Sequence, residues 1–484
     1  MTDRAQRIYR PLLFVAVALL LLLRLLHLRA DFTSMHWFSQ EAAEFTDEGF
    51  YTSAALHHFT GVPLYIRGGW NPSVFMPVWP LLVGAVFHWT GVSVVAARAL
   101  AVVCTWITAL LLYFVTRQYR SQIFALITVL LFAANVLGFF IGRLAILEPA
   151  FCLFLLLTLW MAGKVRANGY ALAGAVGVVF VILTLTKTTG PFVLPAVLYP
   201  IWANNREDRS EAGKLLATAL GIIVLLLGCA KIFWAGHYAV DAQIILGMNP
   251  LWQLEHSLPR LARFFFRGTW IDPVLFPLAL LCAIAALVRL RFLWRDTLFV
   301  TAVLWETGYA AFIVFHYDGP PRYFVPLIVP TIWLALILLE VLWKQQKRTA
   351  QVLVACVAVS AVWNVASIVR YLAHPHYTFF QTCASIRRTV EADASVPHLL
   401  IGRGAEEISL ISGGLPAIDS DGMMPMAEKI PTYHTGWLVQ WSRYTPQRMR
   451  SAQQQFDFVR QSKYPVFSPE KMAVLRLYKI LPLR

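Results

Sequence analysis

PLLFVAVALLLLLRLLHL, at residues 11–28, is a hydrophobic run as long as a helix that crosses a bilayer. A short basic head with Arg4, Arg7 and Arg10 precedes the run, and no small-residue cleavage site follows it. Basic residues that flank a membrane helix are retained on its cytoplasmic side. The stretch is therefore predicted to be a retained signal-anchor with its N-terminus in the cytoplasm.

The composition extends this prediction to the whole chain. Of 484 residues, 58% are hydrophobic and only 14% are charged, and the mean hydropathy is +0.61, above that of ordinary soluble domains. The net charge of +15 would suit a nucleic-acid partner, but Lys and Arg lie in small clusters at the ends of apolar runs rather than on one face. We therefore predict an all-α polytopic membrane protein that binds no nucleic acid.

Basic clusters between the apolar runs set the predicted topology, because each is expected in the cytoplasm. They lie at residues 117–120, 164–166, 206–214, 289–295 and 344–348, which gives about eleven transmembrane helices. The predicted spans are 11–28, 98–116, 122–141, 149–163, 170–187, 190–202, 215–235, 271–288, 297–315, 323–343 and 351–371. The run 74–89 is short and carries Pro77 and Pro80, so it is predicted to be a juxtamembrane or re-entrant helix on the outer face.

The composition changes near His374, where the charge rises and no further spanning run occurs. HLLIGR (398–403) and MAVLRLYKI (472–480) have the composition of strands, and AEEISLISGG (405–414) that of a short helix closing at glycine. We therefore expect residues 1–373 to form the membrane domain and residues 374–484 a small α/β domain outside the membrane.

With this topology, most of the unusual polar residues fall on the outer side of the membrane. FTDEGFY (45–51), in the long first outer loop, carries Asp47 and Glu48. The others are Arg143 and Glu148 in GRLAILEP (142–149), Lys187 in LTKTTGP (185–191), and His316, Asp318 and Arg322 in FHYDGPPRYF (315–324). Ionisable groups at membrane depth are costly and usually face a cavity with a function. The loops are therefore expected to converge on one site.

Each of these residues also has a purely structural interpretation. Asp47 and Glu48 could begin a helix as capping residues. Arg143 and Lys187 could be interfacial cations, and Glu148, followed by a proline, could belong to a first helical turn. His316 and Asp318 could close hydrogen bonds in the Gly-Pro-Pro turn.

Metal binding is not indicated by the sequence. No spacing of His, Cys, Asp and Glu forms a metal motif, and the side chains of the adjacent His57 and His58 point apart on a helix. Of the six cysteines, only Cys383 lies outside an apolar run, which predicts neither a disulfide framework nor a zinc site.

The order of several motifs resembles the PMT-type branch of the GT-C superfamily of integral-membrane glycosyltransferases, which includes protein O-mannosyltransferases and aminoarabinose transferases. The acidic pair is followed by NPSVFMPVWPLL (71–82), GVSVVAAR (91–98), RLAILEP (143–149), TKTTGP (186–191) and RYFVPLIVP (322–330). The resemblance covers about residues 10 to 345. One departure is Phe75-Met76-Pro77, where the aminoarabinose transferases have Lys-Pro-Pro, so a phosphate contact has to come from elsewhere.

The resemblance implies roles for individual residues. Asp47 would be the general base, and Glu48 would support it or contact the acceptor. Arg143 lies where a phosphate-binding residue is expected, with Lys187 and Arg322 as further cations near the donor head group. Glu148 matches the acid after the third span, and His316 and Asp318 would be supporting residues.

The implied activity is transfer of a hexose or pentose from a polyprenyl-phosphate donor to the hydroxyl of a lipid, glycan or protein acceptor, with inversion. A lipid phosphate is a good leaving group, so cations and one base suffice, and no cofactor or metal is expected. The location expected is a bacterial inner membrane, with the C-terminal domain in the periplasm. The alternative is a transporter or flippase of lipid-linked sugars, although the sequence has no internal repeat and its polar groups lie at the outer ends of helices.

Overall fold

The computed structural model describes residues 3–32, 47–233, 257–315, 320–441, 451–468 and 471–483. The N-terminal part is helical, and a five-stranded sheet with its own helices follows it. Among the described residues, five helical segments are long and apolar enough to cross a membrane: Val94–Tyr119, Arg209–Ile232, Thr297–Phe315, Pro321–Gln345 and Lys347–Glu391. This architecture confirms the predicted helical membrane protein with a small C-terminal α/β domain, whereas the number of spans stays a prediction.

The described helices follow the predicted runs closely. In the membrane part they are α1 (Asp3–Leu22), α2 (Glu48–Thr60), α3 (Val78–Thr90), α4 (Val94–Tyr119), α5 (Gln122–Ala134), α6 (Val136–Ile141), α7 (Leu147–Ala162), α8 (Tyr170–Thr186), α9 (Leu194–Asn205), α10 (Arg209–Phe233), α11 (Ser257–Gly268), α12 (Leu275–Val288), α13 (Thr297–Phe315), α14 (Ile328–Gln345) and α15 (Lys347–Ala373). Short 3₁₀ helices at Gly190–Val193 and Pro321–Leu327 precede α9 and α14, where prolines remove backbone donors.

The run predicted as one span at 122–141 is broken at Asn135. The Asn135 side chain accepts a hydrogen bond from Gly138 N–H at 2.8 Å, which starts α6, and donates to the Ile271 carbonyl at 2.7 Å. A capping side chain with a second buried partner separates two helices that hydropathy alone would join. The break turns the chain toward residues 142–146, which border the site.

The first outer loop contains the two short helices α2 and α3. Trp79 of α3 is fully buried, and its Nε1 donates to the Ala145 carbonyl at 3.0 Å. On the opposite face of α3, Leu81 and Trp89 are 70% and 86% exposed, as expected for a helix that lies at a membrane surface. α3 occupies the run predicted as a juxtamembrane or re-entrant helix, and α2 begins at the helix start that Asp47 and Glu48 indicated, whereas the place of both helices relative to the membrane stays a prediction.

One helix has no counterpart among the predicted elements. α11 is amphipathic, with arginines at 260, 263 and 267 and a run of phenylalanines at 264–266. Phe264 stacks on Phe324, with ring centroids 5.9 Å apart. A search for long apolar runs misses such a helix, because its hydrophobic residues are concentrated on one face.

The C-terminal domain is built on a mixed sheet. Its strands are β1 (Leu400–Gly402), β2 (Ala417–Asp419), β3 (Trp437–Trp441), β4 (Phe456–Ser468) and β5 (Lys471–Pro482), in the order β2-β1-β3-β5-β4. β1 runs parallel to β2 and β3, whereas β5 is antiparallel to β3 and β4. The helices of this domain are α16 (Thr378–Glu391), α17 (Ala405–Ser412) and α18 (Met426–Tyr433).

The sequence motifs account for much of this domain. HLLIGR contains β1, AEEISLISGG contains α17, and MAVLRLYKI lies in β5. α17 ends at Gly413, whose φ of 86° is the left-handed conformation that glycine allows at a helix end. The predicted domain boundary falls between the end of α15 and the start of α16.

Candidate active site

Asp47 stands at the start of α2 in an unusual backbone conformation. Its φ of 60° and ψ of 16° are left-handed, and its carbonyl accepts the first helical hydrogen bond, from Tyr51 N–H at 3.0 Å. Its side chain makes no capping hydrogen bond and is paired instead with the Arg322 guanidinium. Asp47 therefore occupies the cap position, yet its carboxylate points toward a cation contributed by a distant loop.

Behind this pair lies a second, buried ion pair. Lys187 Nζ is 2.6 Å from Glu148 Oε1, and both side chains are buried. Arg322 Nε is 4.0 Å from the same carboxylate oxygen. Glu148 Oε2 is buried and has no hydrogen-bond partner among the described residues. The two ion pairs therefore form one group of alternating charges, called here the Asp47 cluster: Asp47, Arg322, Glu148 and Lys187.

Local structure explains how each member reaches the cluster. Glu148 lies in the first turn of α7, where the helix dipole favours an acid. Lys187 follows the last residue of α8 in an extended conformation, which turns its side chain away from the helix axis. Arg322 lies near the start of the 3₁₀ helix Pro321–Leu327, which follows the rigid Pro320. The loops that the sequence placed on one side thus meet in the structure.

Aromatic rings surround the two cations of the cluster. The Arg322 guanidinium is 5.8 Å from the centroid of the Tyr51 ring and 5.5 Å from that of Tyr323, and Lys187 Nζ is 4.6 Å from the Tyr323 centroid. Burial raises the pKa of Tyr51 well above its ordinary value, so the Tyr51 phenol stays neutral. The rings screen the cations from water and strengthen their attraction for an anion.

Exposure distinguishes the members of the cluster. The Asp47 side chain is 30% exposed and that of Arg322 is 16% exposed, whereas those of Lys187 and Glu148 are 4% and 1% exposed. Of these four groups, Asp47 is the one that an external molecule reaches most easily. Glu148 and Lys187 are placed to hold Arg322 from behind.

Glu48 lies next to Asp47 in sequence but faces another environment. It is fully buried, and its carboxylate accepts hydrogen bonds from Arg98 Nε at 2.8 Å, Arg98 Nη2 at 2.6 Å and Ala145 N–H at 2.7 Å. Arg98 Nη1 also donates to the carbonyls of Leu28 and Ala30, at 2.7 Å each. Glu48 therefore ties α2 to α4 and to the end of the first span, and it has no surface on which to contact an acceptor.

Arg143 belongs to the Glu48 side of the site. Its guanidinium donates to the Leu26 carbonyl and lies 5.2 Å and 5.5 Å from the ring centroids of Phe139 and Tyr371. One of its terminal nitrogens is buried without a hydrogen-bond partner in the described structure. The structure thus groups Asp47, Glu148, Lys187 and Arg322, and it places Glu48 and Arg143 in an adjacent cluster with Arg98. His316 and Asp318 lie outside the described residues.

No group of three His, Cys, Asp or Glu side chains in the described part of the chain is arranged to hold a metal ion. The carboxylates of Asp47 and Glu148 are each engaged by a cation of the protein. The positive charge next to the partly exposed Asp47 carboxylate is that of Arg322, and Lys187 neutralises the buried Glu148.

An apolar cavity of about 560 Å³ lies between α2 and α3. Its wall includes Ala55, Phe59, Pro80, Leu81 and Ala85. Leu81 is exposed, so the rim of the cavity lies at the surface of α3. A cavity of this composition suits a hydrocarbon chain better than water.

Sequence reasoning missed three contributors to the site. Arg98 carried a signal, because an arginine inside an otherwise apolar helix needs a buried partner. The rings of Tyr51 and Tyr323 carried none, since aromatic residues are frequent throughout this chain.

No protein-family model matches the sequence, and no curated protein matches it either. Solved structures do share the fold. The oligosaccharyltransferase AglB from Archaeoglobus fulgidus, in complex with an inhibitory peptide and a dolichol-phosphate, matches with a TM-score of 0.56 and 11% identity over 89% of this chain and 69% of AglB. ArnT from Cupriavidus metallidurans, bound to undecaprenyl phosphate, matches with a TM-score of 0.58 and 13% identity over 97% of this chain and 98% of ArnT. These matches show that this chain shares the fold of AglB and ArnT.

Proposed function

We propose that this chain, which has the fold of AglB and ArnT, transfers a sugar from a polyprenyl-phosphate donor to an acceptor hydroxyl at the outer face of a membrane. One observation carries the proposal. A partly exposed carboxylate, that of Asp47, is held beside Arg322, and the buried Lys187–Glu148 pair supports the arginine. A base next to a phosphate-binding cation is what this reaction requires.

The ligands of the two fold relatives support the choice of donor. AglB was solved with a dolichol-phosphate and ArnT with undecaprenyl phosphate, and both ligands are phosphates on a polyprenyl chain. A phosphate of this kind offers an anion for Arg322 and a long hydrocarbon for an apolar surface. We assign the cavity between α2 and α3 to part of that hydrocarbon.

In the proposed reaction, the acceptor hydroxyl attacks the anomeric carbon of the donor sugar while Asp47 takes the hydroxyl proton. The bond between the anomeric carbon and the phosphate oxygen breaks, and its electron pair leaves with the polyprenyl phosphate. Arg322 balances the charge that develops on the leaving phosphate. One displacement inverts the configuration at the anomeric carbon.

The Asp47–Arg322 pair implies that the donor binds before the acceptor does. A donor phosphate that binds Arg322 replaces Asp47 as the partner of the guanidinium, and the carboxylate is then free to meet the acceptor. Lys187 stays paired with Glu148 and keeps that carboxylate in place behind Arg322. In this proposal Arg143 and Arg98 together hold the wall of the site, and Arg143 does not contact the phosphate directly.

We propose the remaining features of the reaction on the support of the sequence and of its resemblance. The acceptor is a lipid, glycan or protein that carries a hydroxyl group, and the sugar is a hexose or pentose. The membrane is a bacterial inner membrane, with the N-terminus in the cytoplasm and the C-terminal domain in the periplasm. Because a cation of the protein, Arg322, already pairs with the reacting carboxylate, we propose that no divalent metal takes part, and transfer should continue in excess EDTA.

The test is a transfer assay with purified protein, a panel of radiolabelled polyprenyl-phosphate sugars and membrane extract as the acceptor. Wild-type protein should move label from one donor to an acceptor, and Asp47→Asn should not. The matched control is Asp457→Asn, which changes an exposed acid of the C-terminal domain and should leave transfer intact. Lipid movement across vesicles without sugar transfer would instead support the transporter alternative.

A further inference from the structure

The C-terminal domain contacts the helix that carries Asp47, at the turn that follows this residue. Gly49 N–H, the second donor of α2, donates to Glu407 Oε2 at 2.6 Å, and Glu407 is buried in the first turn of α17. The two residues are 358 positions apart in sequence. The first N–H groups of a helix need an acceptor, and the cap residue of the same helix usually supplies one.

In α2 the acceptor comes from the C-terminal domain rather than from the cap residue of the helix. Asp47 holds the cap position without capping, because its carboxylate is paired with Arg322. Glu407 supplies a charged acceptor in its place, and a carboxylate there also interacts favourably with the helix dipole. The structural consequence is that the Asp47 side chain can face the site while its helix remains capped.

The close approach of the two helices depends on Gly49. A Cβ atom at this position would overlap the backbone of Glu406 and Glu407. Two turns further along α2, His57 Nε2 lies 3.1 Å from Glu406 Oε1, and both side chains are buried. α17 therefore holds α2 at two points, one of them adjacent to Asp47.

We propose that Glu407 is a positioning residue for Asp47, and that the C-terminal domain is thereby part of the catalytic apparatus although it contributes no reacting group. This inference rests on the proposed transferase function. Without Glu407, the Gly49 N–H loses its acceptor, and the Asp47 carboxylate, at the cap position of α2, is drawn away from Arg322 to cap its own helix. Substrate binding is preserved, whereas the chemical step is slowed.

The kinetic test compares Glu407→Ala with Glu407→Gln, whose amide oxygen still accepts the Gly49 hydrogen bond. Glu407→Ala should lower kcat by about 10- to 100-fold with the donor KM unchanged, the usual effect of a misplaced reacting group. Glu407→Gln should restore kcat to within about threefold of the wild type. Glu391→Ala removes an exposed acid of the same domain and should match the wild type.

A second measurement separates positioning from a loss of folding. Hydrogen exchange should show faster exchange in the peptide that contains residues 49–51 of Glu407→Ala, with the sheet of the C-terminal domain still protected. Gly49→Ala, which displaces α17 from the other side, should lower kcat in the same way. Unchanged kcat in both Glu407→Ala and Gly49→Ala would overturn the proposal.

The outcomes also distinguish this inference from the proposed function. If the wild type transfers no sugar, the proposed function is wrong, and the contact between Glu407 and Gly49 is then tested by hydrogen exchange alone. If the wild type transfers sugar and the exchange at residues 49–51 is the same in Glu407→Ala, the positioning role of Glu407 is wrong while the proposed function stands.

Discussion

Two oppositely charged residues, Asp47 and Arg322, define the chemistry of the site at the scale of single residues. Arg322 is the less exposed partner and is flanked by two tyrosine rings. A guanidinium in such surroundings keeps its orientation while its planar face stays in contact with the rings. In the proposed reaction, the donor phosphate binds Arg322 on the side where the guanidinium now binds the Asp47 carboxylate.

Arg322→Lys tests this use of the guanidinium. Lysine keeps the positive charge, but its ammonium group cannot form the two parallel hydrogen bonds that a guanidinium donates to an anion while it stacks on two rings. We expect kcat/KM for the donor to fall by about 10- to 100-fold, which corresponds to about 1.4–2.8 kcal/mol of transition-state stabilisation. The control is Arg388→Lys on α16, an exposed arginine, and an Arg322→Lys enzyme with wild-type kcat/KM would contradict the role.

The Lys187–Glu148 pair makes a prediction about stability. Glu148→Gln leaves the Lys187 ammonium buried with its charged partner removed, which should lower the free energy of unfolding by about 3–5 kcal/mol. Glu148→Gln combined with Lys187→Met should recover most of that loss, because neither charge of this pair then remains buried. Thermal unfolding in detergent measures both effects, and a Glu148→Gln protein with the wild-type Tm would show that the pair contributes little.

At this scale the sequence predicted the membership of the site better than the roles within it. Outer-loop position brought Asp47, Glu148, Lys187 and Arg322 together as candidates, and these four do meet. The residue pattern by itself could not separate Asp47 from Glu48, which only the resemblance assigned to different roles, because adjacent residues at a helix start look alike while their side chains leave in different directions. The burial of Glu48 depends on Arg98, which lies on another helix.

At the scale of elements, short helices and the breaks between them build the site. The loop at residues 142–146 is held through the peptide groups of Ala145, whose N–H donates to Glu48 and whose carbonyl accepts from Trp79. α2 and α3 are therefore joined through a third segment of the chain. This arrangement fixes the start of α2 against residues 142–146, which follow the helix break at Asn135.

Trp79→Phe tests this connection while preserving most of the packing. The variant removes the Nε1 donor and leaves the Ala145 carbonyl buried without it, which should cost about 1–3 kcal/mol of unfolding free energy. Its Tm should fall accordingly. Trp89→Phe on the same helix changes an 86% exposed side chain and should leave the Tm unaltered. Equal Tm values for the two variants would show that the hydrogen bond does not matter.

The pH dependence of stability should carry a contribution from β2. Burial and the nearby carboxylates of Glu406 and Asp421 raise the pKa of Asp419 to about 7, whereas an unfolded aspartate titrates near about 3.9. The folded protein therefore holds this proton more tightly. The stability that it contributes is present in full at acid pH and is lost as the pH rises from about 4 through about 7.

Asp419→Asn checks the sign of this effect. The variant lacks the cost of ionising a buried carboxyl group, so its Tm relative to the wild type should rise between pH 4 and pH 8. Asp457→Asn, at an exposed position, should show no such trend. A Tm difference for Asp419→Asn that stays constant with pH would contradict the assignment.

The elements themselves were predictable wherever one physical signal dominated. Long apolar runs identified the helices, and glycine marked the end of α17. Hydropathy failed at Asn135 and at α11, because a cap and an amphipathic face do not alter the mean of a long window. The contact between α17 and α2 left no local signal, since Glu406 and Glu407 resemble ordinary solvated acids at a helix start.

At the scale of the whole molecule, the C-terminal domain and the first outer loop form one structure. Glu407 of α17, the helix that follows β1, accepts a hydrogen bond from α2 just after Asp47. On the other side, Glu48 of α2 accepts hydrogen bonds from Arg98 of α4. The Asp47 carboxylate therefore lies between the helical part of the chain and the C-terminal domain. In the proposed reaction, the lipid-linked donor approaches from the side of the helices and the acceptor from the side of the C-terminal domain.

The most direct measurement is a single-turnover experiment that separates donor binding from sugar transfer in wild type and Asp47→Asn. A polyprenyl-phosphate sugar is bound to each purified protein, and the acceptor is then added. If Asp47 is the base, Asp47→Asn binds the donor at least as tightly as the wild type and transfers its sugar at least about 100-fold more slowly. Transfer by Asp47→Asn at the wild-type rate would contradict the role of Asp47 and the mechanism built on it.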